Sequence, residues 1–158
     1  MSVDIQLRHD VADLYAAYGA CIDGAQYDEW PEFFTENAWY RVVPRENFDR
    51  DLPLSTLSLK GKPMMKDRIY GVESTIFHAP YYQRHVIGLP SITVGEDGTI
   101  GVEANYAVFR TKRDFPAEIY SVGRYIDQVV YEGERLKFSQ KFCVFDNDII
   151  PNSLIYPI

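Results

Sequence analysis

The sequence predicts an α+β fold in which helices pack on one face of a strongly curved, mostly antiparallel sheet. Three observations lead there. Helical periodicity is confined to the first half of the 158 residues. From position 82 onward the pattern switches to long β-type runs, and short turn sequences containing glycine join those runs. No repeat, low-complexity segment or linker interrupts them, so the whole of 1–158 reads as one domain.

The first segment has Val3, Leu7, Val11, Leu14, Tyr15, Tyr18, Cys21 and Ile22 at spacings of three and four, the stripe of an amphipathic helix, with Gly24 as its stop. A second, short helix follows, with Asp28 as N-cap, Pro31 in its first turn, and Trp30, Phe33 and Phe34 as its apolar face. Ala38 to Pro44 reads as a strand, Tyr40 and Val42 on one side and Trp39 and Arg41 on the other. Arg45 to Lys62 reads as a polar loop ending in a short edge strand. A third helix is expected from Pro63 to about Thr75, burying Met65, Ile69 and Val72.

Four β-runs then span 82–94, 99–112, 117–132 and 134–146. Gly95-Glu96-Asp97-Gly98 and Glu132-Gly133-Glu134 supply hairpin turns. The third run is long for one strand, which predicts a bulge or sharp curl near Gly123. In the last run, alternation places Leu136, Phe138, Phe142 and Val144 on one face and Lys137, Ser139 and Lys141 on the other. After Asp148 the sequence turns apolar again, through Pro151, Asn152, Leu154, Ile155, Tyr156 and Ile158. Such a segment must be covered, and its two prolines argue against a regular closing strand. The cover is either its own sheet or a neighbouring chain, the neighbour being favoured, so deleting Leu154 to Ile158 is expected to impair assembly more than folding.

A composition of 46% hydrophobic and 25% charged residues is that of an ordinary globular chain. The formal charge of −7 opposes a nucleic-acid partner, which requires a basic footprint. No stretch of 18 consecutive apolar residues is present and the first ten positions carry no apolar run, so neither a membrane span nor a signal peptide is expected and the location expected is cytoplasmic. Cys21 and Cys143 lie far apart without paired spacing and read as reduced thiols, with a structural disulfide as the alternative. Twelve tyrosines and ten arginines suit either a Tyr-rich sheet or surfaces that meet other proteins.

Redox chemistry in this chain is opposed by its ligands. A Rieske cluster needs two Cys and two His at close spacing, and only two distant cysteines exist. His78 and His85 straddle Pro80, so the two histidines of a facial iron triad are not brought together by spacing. Dinucleotide, P-loop and nucleophile-elbow motifs are absent. One constellation remains. A curved sheet closed by helices makes a conical pocket, in which Asp23, Tyr40 and His85 would be placed for acid–base work. The plainer reading makes Asp23 or Asp28 a helix cap and His85 a satisfied core or interface histidine, and Arg84-His85 would equally serve as donors to a partner.

The ordered set Asp23…Trp30…Phe33-Phe34-Thr35…Trp39-Tyr40-Arg41-Val42, Arg45-Glu46-Asn47, Asp67-Arg68, Tyr82-Gln83-Arg84-His85-Val86-Ile87-Gly88, Phe109-Arg110-Thr111-Lys112 and Ile150-Pro151-Asn152-Ser153-Leu154-Ile155-Tyr156-Pro157-Ile158 resembles the small subunits of ring-hydroxylating oxygenases. Among them it is most similar to the branch acting on aromatic acids, of the salicylate 5-hydroxylase and terephthalate dioxygenase kind. The resemblance implies a cone of the nuclear-transport-factor-2 type, shared with scytalone dehydratase and ketosteroid isomerase. It implies a non-catalytic subunit without a cofactor, three copies of which associate beneath three large α subunits. Each α subunit would hold a Rieske 2Fe–2S cluster and a mononuclear Fe(II), supplied with electrons by a reductase and often a ferredoxin. Arg84, His85, Pro151, Asn152, Leu154, Ile155, Tyr156 and Ile158 are then the candidates for subunit contact. No catalytic residue carries over, and the acid–base reading of Asp23, Tyr40 and His85 rests on analogy of fold.

Overall fold

The computed structural model describes residues 3–150 and 153–158. Its backbone is one unclosed sheet whose concave side is covered by the first and the last of its longer helices. Helix α1 spans Ile5–Asp23 and buries Val11, Leu14, Tyr15, Tyr18, Cys21 and Ile22. A 3-10 helix, Tyr27–Phe33, leads directly into β1, Phe34–Pro44. Then come α2 (Arg45–Asp49), β2 (Leu57–Lys60) and α3 (Lys62–Ser74). The strands β3 (Tyr81–Ile87), β4 (Ser91–Val94), β5 (Ile100–Lys112), β6 (Glu118–Glu132) and β7 (Arg135–Phe145) complete the order. Along the sheet the strands run β2-β1-β7-β6-β5-β3, with β4 also paired to β5. Among the described residues only the pairing of β1 with β7 is parallel.

Several local expectations are corrected. Asp28 lies inside the 3-10 helix, whose N-terminal cap is Gln26 without a side-chain bond. Pro31 lies late in that helix rather than in its first turn. Phe34 opens β1 instead of closing a helix, so the strand starts four residues earlier than its apolar core at Ala38 suggests. Within the polar stretch, Arg45–Asp49 folds into a single helical turn whose Phe48 covers Phe142 from outside the sheet. The run 82–94 breaks at Gly88-Leu89-Pro90 into two strands on the same partner, since proline cannot donate to a ladder. The third helix, by contrast, buries Met65, Ile69 and Val72 as the periodicity requires.

The bulges fall on either side of Gly123 rather than at it. Val108 pairs with Ser121 and Phe109 with Ile119, leaving Tyr120 as the extra residue. Gln128 pairs with Gln140 and Val129 with Phe138, leaving Ser139 extra. Gly123 itself marks the tightest approach: a Cβ there would lie 1.9 Å from the Val144 carbonyl oxygen. The Ser139 bulge reverses side-chain parity along β7. Leu136 and Phe138 point into the main core, as do Cys143 and Phe145, whereas Phe142 and Val144 join Val43 in a small cluster on the opposite face. Lys141, expected outside, is consequently inside and fully buried.

That interior is aromatic. Trp30, Phe34, Tyr18, Tyr40, Tyr120, Tyr125 and Phe138 are all sealed from solvent, and most meet edge to face, as between Trp30 and Tyr40 at 4.9 Å. Edge-to-face pairs of this kind add about 0.5–1.5 kcal/mol each beyond their buried area.

Candidate functional site

Asp23 is the last residue of α1, and the N–H of Gly24 closes the helix on the carbonyl of Ala20. This places the Asp23 carboxylate against the free edge of β3. One oxygen accepts the backbone N–H of His85 at 2.8 Å, and the other lies 2.6 Å from its Nδ1. The edge strand therefore has a capped amide, and the imidazole is held in one orientation. The His85 side chain is 1% exposed, packs edge-on against Tyr18 at 6.5 Å, and its Nε2 has no hydrogen-bond partner among the described residues. A groove of about 420 Å³ runs above, lined by Gly19, Asp23, Arg84, Leu89 and Pro90 among others.

Tyr40 does not join this pair. Its hydroxyl donates to the Ile158 carbonyl at 3.1 Å and accepts the Ile158 N–H at 3.0 Å. Tyr18 donates to the same carbonyl at 2.8 Å while accepting from Trp30 Nε1, and the Cys143 thiol reaches it at 3.3 Å. Burial pushes the Tyr18 and Tyr40 phenols well above their usual range, so both remain neutral donors. Of the three acid–base candidates, the structure unites Asp23 and His85 and assigns Tyr40 to the anchoring of Ile158.

The closing segment is likewise relocated. Pro157 and Ile158 are buried within this chain's own core, so neighbour burial is not their role. The two prolines do prevent a closing strand, but side chains replace the ladder. Tyr120 donates to the Ser153 carbonyl, Arg68 to those of Leu154 and Ile155, and Gln83 to that of Pro157. Tyr156 stacks on Tyr27 at 4.6 Å, and its hydroxyl meets His78 Nε2 at 2.7 Å. Leu154, Ile155 and Tyr156 stay half-buried, Arg84 is exposed, and the His85 ring is too enclosed to donate to a partner. Pro151 and Asn152 lie outside the described residues.

Lys141 and Asp127 form a site that sequence reasoning missed. Both side chains are completely buried, 2.8 Å apart. The ammonium sits over the rings of Tyr125 (3.5 Å), Phe138, Tyr18 and Tyr15. Asp127 also accepts from the Tyr15 hydroxyl and the Phe142 N–H. Burial pushes the Asp127 carboxyl above the usual range, against the downward pull of Lys141. Counting back from the Glu132-Gly133-Glu134 turn would have paired Asp127 with Gln140; only the Ser139 bulge moves Lys141 opposite it. Among the described residues no three His, Cys, Asp or Glu side chains are grouped to hold a metal. The two cysteines are buried on separate elements and bonded to the carbonyls of Gln26 and Ile158, which does not fit an iron–sulfur cluster.

Comparison with known proteins places this architecture. The SnoaL-like domain family matches residues 3–141. The small subunit of anthranilate 1,2-dioxygenase from Burkholderia cepacia is 28% identical over all of this chain and 98% of its own. Subunit β2 of the terminal oxygenase component of terephthalate 1,2-dioxygenase from a Comamonas species is 26% identical over 94% of this chain and 96% of its own. A crystal structure from Novosphingobium aromaticivorans, described as the β subunit of a candidate aromatic-ring-hydroxylating dioxygenase, superposes with a TM-score of 0.87. It is 32% identical, covering 96% of this chain and 97% of that one. A conical SnoaL-like sheet, an interior closed by its own final segment and near-full-length similarity to these subunits converge: the chain belongs to the SnoaL-like domain family and, within it, to the β subunits of aromatic-ring-hydroxylating dioxygenases.

Proposed function

We propose that this chain is the non-catalytic, assembling subunit of a multicomponent oxygenase that hydroxylates an aromatic acid in the breakdown of aromatic compounds. The observation that carries this reading is the filled interior: Ile158 occupies the bonds of Tyr18, Tyr40 and Cys143 that a substrate in the cone would need. The alternative, a stand-alone lyase or isomerase, retains only the Asp23–His85 pair, whose ring is 1% exposed. In the assembly a large α subunit carries the Rieske 2Fe–2S cluster and the mononuclear Fe(II), and a reductase, with or without a ferredoxin, feeds electrons to it. Three copies of each subunit, one domain per β chain and a cytoplasmic location complete the proposal. Among the described residues no helix is long and apolar enough to cross a membrane.

Contact is served by the convex face at the β3 end of the sheet. Tyr82 and Val86 of β3 and Ile119 of β6 are exposed, and Phe109 of β5 lies opposite both Arg84 and Ile119. Phe115 borders the same groove as Tyr82. Contiguous apolar surface of this kind marks an interface. The test is co-expression with a large oxygenase subunit that carries a Rieske motif, followed by size-exclusion chromatography with light scattering. A stable hetero-oligomer burying on the order of 2,000 Å² or more per pair is expected, and Tyr82→Asp with Val86→Asp is expected to abolish it while leaving the melting temperature of the isolated chain unchanged. A chain that remains monomeric beside its large subunit, or that converts an aromatic substrate alone, overturns the proposal.

A further inference from the structure

The segment Ser153–Ile158 is held as a receptor holds a ligand. A strand is recognised through its own backbone ladder, but here five carbonyls, those of Ser153, Leu154, Ile155, Pro157 and Ile158, are each met by side chains from other elements. The innermost position is the most elaborate. Tyr18 from α1, Tyr40 from β1 and Cys143 from β7 converge on one oxygen, and Tyr40 also takes the Ile158 N–H. The Ile158 side chain is fully buried within the core. Beside it stands a group that Ile158 does not satisfy. The Tyr125 hydroxyl is buried and lacks a hydrogen-bond partner among the described residues, and Tyr125 stands directly across the β6–β7 ladder from Cys143 with its ring 6.4 Å from that of Tyr18. Buried hydroxyls are normally paired, so an unspent one beside a convergence of donors is a polar group left free for an oxygen that Ile158 does not bring.

We infer that the site filled by the Ile158 side chain is a latent seat for a branched aliphatic group bearing a hydroxyl oxygen, with Tyr125 as its free polar group, and that Tyr18, Tyr40 and Cys143 hold Ile158 there in cis by its main chain. The segment is thus a tethered plug, and the seat is latent as long as the plug is in place. This goes beyond the assembling role and does not depend on it, because seat occupancy and subunit association are read separately.

The experiment uses the 158-residue chain carrying Ile158→Gly, with 2-methylbutan-1-ol as the probe. This alcohol restores the lost branched chain and brings a hydroxyl for Tyr125. Thermal melting is followed with and without millimolar probe in the wild type, in Ile158→Gly, and in Ile158→Gly combined with Tyr125→Phe. Emptied apolar cavities bind small molecules of matching shape, and a ligand that binds only the folded state raises its melting temperature with concentration. The expected result is a dose-dependent rise for Ile158→Gly, none for the wild type, and an apparent affinity about fivefold weaker once the Tyr125 hydroxyl is removed. A folded Ile158→Gly protein that shows no rise overturns the inference, as does an equal rise in the wild type. Should Ile158→Gly not fold, Ile158→Ala with propan-2-ol reads the same question through a smaller cavity. Wild-type association with the large subunit, measured in parallel, fails or succeeds independently of these outcomes.

Discussion

Replacing Asp127 by Asn leaves the shape of the buried ion pair intact and removes its negative charge. The Asn carbonyl still accepts the Phe142 N–H, but the Lys141 ammonium keeps only aromatic faces, the nearest at 3.5 Å. Removing one partner of a buried pair costs about 3–5 kcal/mol, because the surviving charge stays desolvated. The ring faces continue to attract Lys141, so the lower end is expected, about 3 kcal/mol. For a chain of this size that lowers the melting temperature by roughly 6–12 °C. Lys141→Met strips the carboxylate of its cation instead. Asp127 is already pushed above its ordinary value of 3.8 by burial, and losing Lys141 removes the largest opposing influence. A carboxyl whose folded pKa exceeds its unfolded one contributes stability that is full below the unfolded value and is lost as pH rises through the folded value. Lys141→Met should therefore be less destabilising at pH 5 than at pH 8, each relative to wild type. The double variant should fall short of additivity by at least about 2 kcal/mol. Urea unfolding followed by the fluorescence of Trp30 and Trp39 measures all four proteins. Additive losses together with a pH-independent Lys141→Met would refute the caged ion pair.

Asp23→Ala strips both the His85 N–H and its ring of an acceptor; a loss of about 2–4 kcal/mol in thermal or urea unfolding is expected, with association to the large subunit retained. Gly123→Ala drives a methyl into the Val144 carbonyl at 1.9 Å and the Phe145 Cα at 2.8 Å, backbone atoms that cannot yield; a cost above about 3 kcal/mol or failure to accumulate as folded protein is expected from circular dichroism. Burial pushes Cys21 up to about 11 and Cys143 up to about 12, so at pH 8 both thiols are protonated. Titration with a disulfide reagent should be at least about 100-fold slower in native than in denatured protein.

The sequence-to-structure correspondence is uneven for identifiable reasons. Helices α1 and α3 were legible because their buried residues recur at three and four, and tertiary packing uses that same stripe. The long strands were legible from their turns. The misassigned faces of β7 turn on one inserted residue: Ser139 reverses the parity of the strand, so Lys141 moved from the expected outer face into the core and Phe142 moved out of it. No composition signal marks a bulge of that kind. The cover of the final segment was misjudged because prolines exclude a ladder but say nothing about Arg68, Gln83 and Tyr120, which bond its carbonyls from positions distant in sequence. Asp23 and His85 were found because their residue types suit a proton-transfer pair, yet their geometry is that of a staple between a helix end and a sheet edge.

Pairing β1 with β7 in parallel, and then seating Ile158 against Tyr40 and Cys143 on their core face, has a consequence for biogenesis. Phe34 meets Phe138, and Tyr40 waits for a residue 118 positions later. Contacts of such sequence separation form slowly, since the intervening chain must first be ordered. The aromatic half made early on the ribosome, including Trp30 and Tyr40, cannot be sealed until Ile158 has been synthesised. During that interval the nascent chain presents a greasy, unfinished surface, the state in which chaperone capture and aggregation compete with maturation.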